Sequence, residues 1–333
     1  MLQKQSPVAE IGLLIYPECQ LAAIYGLTDL FRIAGEWATQ AVTDESKRII
    51  RVSHWKVSDD NTTVDCCWDS HPGAPHRLSH VIAPPSITMP EKMRPMPVAA
   101  AWMKMRHAEG STLCSVCAGA FVLAETGLID GRRATTHWAF ADQLAARYPD
   151  IELAEDQMVI DGGDIMTAGG ILAWTDLGLT LVERLLGPSI MLATARFLLI
   201  EPPRRSQLPY AQFIPCFDHG DEPVRRSQHH IHAHSAEPQN VAELAAIAGL
   251  GERTFLRRFV KATGMRPIEY LQQVRMAKAR EELELTTTPV DRIAWNVGYS
   301  DPASFRKVFH KLTGLPPTLY RHQFGLAQDP LMS

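Results

Sequence analysis

The last third of this chain contains one sequence motif twice, and this repeat limits the possible fold more than any other feature. The first copy begins at Val241 and the second at Val290. Seven residues recur, two of them at a spacing of 49 residues and five at a spacing of 50. The matched pairs are Ala245/Ala294, Gly249/Gly298, Phe255/Phe305, Phe259/Phe309, Gly264/Gly314, Pro267/Pro317 and Tyr270/Tyr320. Two copies of one motif predict two similar helical units.

Each copy has the features of a helix-turn-helix. A small residue, Ala245 or Ala294, lets two helices approach closely, and the glycine four residues later makes the turn between them. The apolar residues after the glycines, Leu250 and Tyr299, are predicted to fill the core. The phenylalanines of each copy are four residues apart and are predicted to anchor the second helix.

Capping residues predict where the helices of the repeat begin. Asn240 followed by Glu243 is typical of a capping box at the first helix. In the second copy, Thr288 with a proline after it predicts the start of the first helix, and Asp301 with a proline after it predicts the start of the second. Gly251, at the equivalent position of the first copy, is a poorer cap.

The second helix of each copy presents polar side chains around its buried phenylalanines. Arginine can bind guanine through two hydrogen bonds, and serine or threonine can contact a base or a phosphate. We therefore predict that eight residues contact DNA: Arg253, Thr254, Arg257, Arg258, Ala303, Ser304, Arg306 and Lys307. Two lysines nearer the helix ends are predicted to bind phosphates, namely Lys261 and Lys311.

Length and charge agree with DNA binding. Residues 267–285 predict a linking helix of about 28 Å, which suits two reading helices held roughly 34 Å apart, one turn of DNA. Residues 225–333 carry a net charge of +5, whereas the rest of the chain carries −9. A basic module on an acidic body fits phosphate contact. For any single arginine, a solvated side chain on a helical bundle is the alternative.

This region resembles the DNA-binding domain of the AraC/XylS family over about residues 225–325. The resemblance rests on ELAAIAGLGERTFLRRFVKATGMRPIEYL, RMAKAREEL and IAWNVGYSDPASFRKVFHKLTGLPPTLYR. It departs at Gly251, where serine is usual. The resemblance implies a bipartite reader of double-stranded promoter DNA that usually activates transcription, with RNA polymerase as a partner.

Residues 9–199 have a different pattern, in which apolar runs alternate with helical periodicity. The run at 11–16 is continuous and ends at a proline, as in a buried parallel strand. Further strands are predicted at 81–83 and 112–116, and helices at 21–34, 98–107, 118–125, 138–148 and 171–186. Alternating strands and helices predict a parallel sheet covered by helices.

Prolines punctuate residues 201–235, which we predict to be a linker. It would join a sensor domain at 1–200 to a DNA-binding domain at 236–325. The linker holds a histidine-rich run at 229–234 that can bind a metal, but histidines in a polar linker are more often solvated. We predict no metal and no cofactor.

Residues 112–138 are the chemical centre of the first domain. A strand runs directly into Cys117, and the small residues that begin at Ala118 permit a sharp turn into a helix. This is the geometry of a nucleophile elbow. A cysteine at a helix N-terminus has its thiolate favoured, and His137 is the only nearby candidate base. Two glycines before a later helix, Gly169 and Gly170, can bind an anion through backbone N–H groups.

This domain resembles the DJ-1/PfpI superfamily, which is class-I glutamine-amidotransferase-like, and most of all the N-terminal domain of GlxA-type regulators. The resemblance covers about residues 9–200 and rests on CSVCAGAFVLAETGLIDGRRATTHW and TAGGILAWTDLGLTLVERLLG. It implies a flavodoxin-like parallel-sheet sandwich. Ala118 stands where PfpI-type proteases have histidine, and Ala22-Ala23-Ile24 replaces a common aspartate. Glu18 is the candidate acid, and a complete Cys-His-acid set is not evident.

The two resemblances together imply a DNA-binding regulator controlled by a small metabolite, such as an amino acid or an amine. The predicted effector pocket consists of Glu18, Cys117, Ala118, His137 and Trp138. We predict no enzymatic activity; the alternatives are a cysteine-dependent hydrolase or hydratase and a redox-sensing regulator, each using Cys117. We expect a cytoplasmic protein with no membrane partner, because no signal peptide is recognisable and no apolar run reaches the roughly 18 residues that a bilayer requires. We also expect a homodimer, because such α/β domains commonly pair and tandem DNA sites need two readers.

Overall fold

The computed structural model describes residues 7–40 and 49–326. The chain divides into two compact units, Met1–Gln207 and Leu208–Ser333. Within the described ranges, no helix has both the length and the apolar character to cross a membrane.

The first unit contains a seven-stranded sheet in the order β3-β2-β1-β4-β5-β9-β8. The five inner strands are parallel, and the two outer strands, β3 and β8, are antiparallel to their neighbours. The strands are β1 (Ala9–Ile15), β2 (Ile50–Val57), β3 (Val64–Asp69), β4 (His80–Ala83), β5 (Thr112–Val116), β8 (Val159–Asp161) and β9 (Ile165–Ala168). Two short strands, β6 (Arg133–Ala134) and β7 (Glu152–Leu153), form a separate pair. The inner strands are almost entirely buried because helices cover both faces of such a sheet.

In the described part of this unit, six α-helices accompany the sheet. They are α1 (Leu21–Gln40), α2 (Pro97–Ala108), α3 (Gly119–Ala124), α4 (Ala141–Arg147), α5 (Trp174–Leu186) and α6 (Pro188–Leu198). In α1 the buried residues Ala23, Ile24, Leu27, Leu30 and Phe31 follow helical spacing and form one apolar face. The prediction of a parallel α/β unit is therefore confirmed. The predicted helix at 138–148 is a 3-10 turn, Trp138–Phe140, followed by α4, and the one predicted from residue 171 begins at Trp174.

The strand order reverses between β1 and β4, and this reversal positions the candidate site of the first unit. The chain leaves β1 towards β2 on one side, while β4 and β5 lie on the other. Loops after parallel strands diverge at such a point and leave a crevice at the carboxyl ends of the strands. The loops after β1, β4 and β5 meet at this edge: the Gln20 amide donates to the Pro85 carbonyl at 2.7 Å.

The second unit is all helical, as predicted. Its helices are α7 (Glu222–Ala233), α8 (Val241–Ala248), α9 (Glu252–Thr263), α10 (Pro267–Leu285), α11 (Val290–Asn296), α12 (Pro302–Thr313) and α13 (Pro317–Phe324). The turn glycines have the expected left-handed backbone, with φ of +69° at Gly249 and +90° at Gly298. The small residues Ala245 and Ala294 are buried at the two helix-turn-helix cores.

One helix is shared by two apolar cores of this unit. Residues of α10 up to Val274 pack in the core around Phe255, and residues from Met276 onward pack in the core around Phe305. Each helix-turn-helix therefore has its own core, and both cores are built on one continuous helix.

The predicted linker at 201–235 is divided between ordered parts of both units. Gln207, near its start, is buried in the first unit. Residues 222–233 form α7, whose apolar side chains Val224 and Ile231 are buried in the core of the second unit. The linker prediction fails here because an amphipathic helix lies within the proline-punctuated segment. The histidine run lies on this helix, and His232 Nε2 is 3.0 Å from the Tyr270 hydroxyl.

Candidate nucleic-acid interface and cysteine site

Predicted side-chain caps hold the starts of two helices of the repeat, α8 and α12. Asn240 and Glu243 form the predicted capping box, with reciprocal side-chain to backbone distances of 3.0 and 3.2 Å. The Asp301 carboxylate accepts from two amides at the start of α12, and Gly251 offers α9 no side-chain cap. The prediction for Thr288 is wrong: α11 begins at Val290 without a side-chain cap, because the proline between them occupies the cap position itself.

Basic side chains form a stripe along the exposed face of each second helix. On α9 the stripe consists of Arg253, Arg257 and Lys261, at positions i, i+4 and i+8. On α12 it consists of Lys307 and Lys311, which match Arg257 and Lys261 at the repeat spacing of 50. All five are exposed, and none has a hydrogen-bond or ion-pair partner among the described residues. The flanking Thr254 and Ala303 are also exposed.

The structure gives Arg258 an internal partner, unlike the other predicted reading residues of α9. Its guanidinium donates to both carboxylate oxygens of Asp221, at 2.7 and 2.8 Å. This pairing raises the pKa of Arg258 and lowers that of Asp221. Asp221 also caps α7 by accepting from the Val224 amide. Arg258 therefore ties α9 to α7, and it corresponds in the second copy to Val308, which packs against the core.

Two other predicted DNA contacts are engaged on the surface. Arg306 pairs with Asp291, and both side chains are about half exposed. An exposed pair of this kind contributes little to stability, so Arg306 can exchange Asp291 for a phosphate. The Ser304 hydroxyl donates to the capping carboxylate of Asp301 at 2.7 Å.

The predicted sharp turn is present at Cys117. This residue has a φ of +55° and is buried, with its amide donating to the Ala168 carbonyl at 2.9 Å. The Thr136 hydroxyl donates to the Cys117 carbonyl at 2.8 Å. The turn depends on Gly119, where an added β-carbon would lie 2.4 Å from the Ala83 carbonyl oxygen.

The predicted activation of the Cys117 thiolate is wrong. Burial raises the pKa of the thiol to about 12, and the Ala118 amide opposes this only in part. The helix after the elbow, α3, has only six residues, so its dipole is weak. Desolvation of a buried thiolate outweighs the field of a short helix.

The structure does not assemble a catalytic triad from the predicted residues. His137 Nδ1 accepts from the Ala139 amide at 3.1 Å and caps a 3-10 turn, and burial lowers the pKa of its imidazole. Glu18 is exposed with a φ of +60°. Among the described residues, no hydrogen bond joins the Cys117 thiol to His137 or Glu18. Ala118 is fully buried and Trp138 partly buried.

Sequence reasoning missed Tyr16 and Cys19 near the elbow. The Tyr16 hydroxyl donates to the Pro84 carbonyl at 2.5 Å, and its pKa is raised by burial and by the neighbouring Cys19 and Cys117. Burial also raises the pKa of Cys19. Tyr16 ends the first apolar run just before a proline, and that position at the carboxyl end of a parallel strand is the signal that could have identified it.

Two buried polar atoms near this edge have no partner within the described chain. They are Gln20 Oε1, just before α1, and Trp174 Nε1, at the start of α5. Unpaired buried polar atoms are costly, and a bound molecule can satisfy them. Two cavities of about 630 and 690 Å³ lie elsewhere in the first unit, the former beside Glu125 and the latter beside Trp68. None of the predicted effector-pocket residues lines either cavity.

Comparisons with known proteins give matches to both units. Residues 10–184 match the DJ-1/PfpI family, and residues 244–323 match a helix-turn-helix domain. The HTH-type transcriptional regulator CdhR of Pseudomonas aeruginosa is 27% identical, over 67% of this chain and 66% of its own length. The HTH-type transcriptional regulator GlxA of Rhizobium meliloti is 26% identical, over 65% and 67%. This chain thus spans about two thirds of the length of these curated relatives.

An enzyme and a solved structure are also similar to parts of the chain. Isonitrile hydratase of Pseudomonas putida is 37% identical, over 36% of this chain and 46% of its own length. The crystallised DNA-binding domain of AdpA, in complex with a target DNA, is 32% identical; the match covers 31% of this chain and 92% of that one, with a TM-score of 0.30.

Proposed function

This chain belongs to the DJ-1/PfpI family and carries an AraC-type helix-turn-helix domain, and on that basis we propose that it is a transcription regulator whose binding to promoter DNA is controlled by a small molecule. The observation that supports this most is the pair of basic stripes on α9 and α12. Five exposed cations with no partner among the described residues lie on two helices built on one linking helix, and four of them occupy matched positions of the repeat. Unpaired cations on a helix that fits the major groove are what phosphate and base contact requires.

The reading face that we propose is smaller than the predicted one. It comprises Arg253, Thr254, Arg257, Lys261, Ala303, Ser304, Arg306, Lys307 and Lys311. Arg258 is left out because its guanidinium is bound to Asp221. The functional complex that we propose is a homodimer that acts with RNA polymerase.

The small molecule is proposed to bind at the carboxyl edge of the sheet, near Cys117. The unpaired Gln20 Oε1 and Trp174 Nε1 support a polar ligand there, since one accepts a hydrogen bond and the other donates one. An amino acid has both complementary groups, an ammonium that donates and a carboxylate that accepts, whereas an amine supplies only the donor. Binding without turnover is favoured because the thiol has a high pKa and no hydrogen bond to a base.

DNA binding is tested with the full chain and a duplex selected by it from a random pool. Arg257→Ala and Lys307→Ala remove one cation from each stripe, and each is expected to weaken binding about tenfold. Arg225→Ala is the matched control, because Arg225 is an exposed arginine of α7 that pairs with Glu222. Unchanged affinity in both stripe variants would refute the proposed reading face.

A cysteine-dependent hydratase is the second candidate, favoured by the positive φ at Cys117 and by the similarity to isonitrile hydratase. It is tested by incubating the full chain with an alkyl isonitrile and following the N-substituted formamide that hydration would form. We expect no product from the wild type. Product that disappears in Cys117→Ala would place the enzyme function first.

A further inference from the structure

The last residue of the first unit, Gln207, has its side chain buried inside that unit. The side chain is only 1% exposed. Its amide nitrogen lies 2.8–3.1 Å from four acceptors, and its amide oxygen accepts from the Trp138 backbone N–H at 3.2 Å. The four acceptors are Thr135 Oγ1 and the carbonyls of Thr136, Glu155 and Gln157. An amide paired this completely is held in one place, because release would leave several buried polar groups unpaired.

The niche around Gln207 requires a glycine on one side. A β-carbon added at Gly169 would lie 2.2 Å from Cδ of Gln207, whereas one added at Gly170 would meet no atom within 4 Å. Gly169 therefore makes room for the glutamine, and this accounts for the first glycine of a pair that the sequence suggested for anion binding.

The four residues that end at Gln207 form a strap against the first unit. The backbone N–H of Met158 donates to the Arg205 carbonyl at 3.1 Å, and the backbone N–H of Gln207 donates to the Asp156 carbonyl at 2.8 Å. The Arg204 guanidinium donates to both carboxylate oxygens of the buried Asp176. The strap, residues 204–207, is thus anchored at both ends just before the chain enters the helical unit.

The niche shares a wall with the cysteine elbow. Thr136 accepts from Gln207 through its carbonyl and donates to the Cys117 carbonyl through its hydroxyl. Two hydrogen bonds and one residue therefore separate the elbow from the strap. The next residues along the wall, His137 and Trp138, belong to the effector pocket predicted from the sequence.

We propose that Gln207 is a positioning residue that couples the wall of the elbow, residues 135–138, to the strap that leads into the DNA-reading unit. A ligand that moves this wall breaks the bonds to Gln207 and frees the strap, and a strap that is pulled away disturbs the wall. The regulatory meaning of this coupling depends on the proposed function, but the coupling itself does not.

The coupling is tested by hydrogen exchange on the full chain, with a substitution that lies outside both the wall, residues 135–138, and the strap, residues 204–207. Gly169→Ala displaces the Gln207 side chain and is expected to speed exchange about tenfold in peptides covering both 135–138 and 204–207. Gly170→Ala is the matched control and leaves both peptides unchanged. Faster exchange in only one of the two peptides, 135–138 or 204–207, would refute the coupling.

A second variant keeps the test decisive if Gly169→Ala folds poorly. Gln207→Ala removes the glutamine without any overlap and is expected to expose the Trp138 amide to exchange. When Gly169→Ala and Gln207→Ala are combined, the added methyl group no longer meets a glutamine side chain. The effects of the two substitutions on hydrogen exchange are therefore expected not to be additive. Additive effects would show that residue 169 acts on something other than Gln207.

DNA affinity separates positioning from a purely structural role. Gly169→Ala and Gln207→Ala are both expected to change the affinity for the selected duplex by about fivefold and in the same direction. Gly170→Ala is expected to leave this affinity unchanged. If the wild type binds and no variant differs from it, the regulatory role of Gln207 is refuted. If the wild type binds no DNA, the proposed function fails, while the exchange result still decides the coupling.

Discussion

At the scale of single residues, burial decides the chemistry of the elbow cysteine. Cys117 has the backbone conformation of an exposed nucleophile, yet its side chain is 1% exposed. A thiol with a pKa of about 12 is almost fully protonated at neutral pH, and only the thiolate reacts with electrophiles. We expect Cys117 in the folded full chain to react with iodoacetamide at pH 7.5 about a thousandfold more slowly than the exposed Cys216.

The rates are measured by quenching the reaction at intervals and quantifying the modified peptides by mass spectrometry. The same reaction in denaturant is the control, and there both cysteines should react alike. Equal rates in the folded protein would mean that the thiol is activated, which would revive the redox-sensor and enzyme alternatives.

Buried acids with raised pKa values also predict how stability depends on pH. The pKa of Cys117 in the folded state lies above its unfolded value of about 9. Its contribution to the free energy of unfolding is therefore fully present below pH 9 and is lost as pH rises from about 9 towards 12, because the unfolded state releases the proton first. Burial raises the pKa of Cys114 and Tyr16 in the same direction. Each group can lower the free energy of unfolding by up to roughly 1.4 kcal/mol for each pH unit in this range.

Urea unfolding followed by tryptophan fluorescence measures this slope, because six of the seven tryptophans lie in the first unit. Stability should be level from pH 7 to 9 and should decline above pH 9. Cys117→Ala should decline less steeply. A slope identical to that of the wild type would show that Cys117 titrates normally in the folded state.

Residue roles were predictable where the repeat could be aligned, and less so elsewhere. The exposed stripe follows from helical spacing alone. Arg258 could also have been excluded, since its counterpart is the core-packing Val308. The niche of Gln207 has no local signature, because its partners lie up to 72 residues away in sequence.

At the scale of elements, the helices of the second unit were predictable from the repeat, whereas much of the sheet in the first unit was not predicted. The starts of α8 and α12, predicted from their capping residues, and the predicted range of the linking helix, 267–285, agree with the observed bounds. The edge strand β3 is mostly exposed, and β6 and β7 have two residues each. Such strands lack the continuous apolar run by which β1, β4 and β5 were recognised. The inner strands β2 and β9 were not predicted either.

The turn glycine of the second helix-turn-helix predicts a large and local loss of stability. In Gly298→Ala the new β-carbon would lie 2.4 Å from the Ala236 carbonyl oxygen at a φ of +90°, so we expect a loss of about 3 kcal/mol. In Gly264→Ala the φ is +73° but the space is open, so about 1 kcal/mol is expected. Urea unfolding followed by far-UV circular dichroism compares the two, and equal losses would show that the backbone clash is relieved at no cost.

At the scale of the whole molecule, the linking helix determines what kind of DNA site the chain can bind. Both helix-turn-helix cores are built on α10, which is unbroken over 19 residues. The two reading helices are therefore fixed relative to each other, and the site must present two major-groove segments about one helical turn, roughly 34 Å, apart.

This rigidity predicts how the chain responds to altered spacing within its selected DNA site. Inserting about five base pairs between the two segments turns the second to the opposite face, and inserting about ten restores the face but adds roughly 34 Å of distance. A flexible connection between the two readers would recover affinity at ten base pairs. A rigid α10 cannot stretch, so both insertions should reduce the DNA affinity to that of a single helix-turn-helix. At that level, Lys307→Ala should no longer weaken DNA binding. Gel-shift titrations measure the affinities of the wild type and Lys307→Ala for three duplexes: the selected site, the site with five inserted base pairs and the site with ten. Recovery of affinity with ten inserted base pairs would mean that α10 bends or unfolds on DNA.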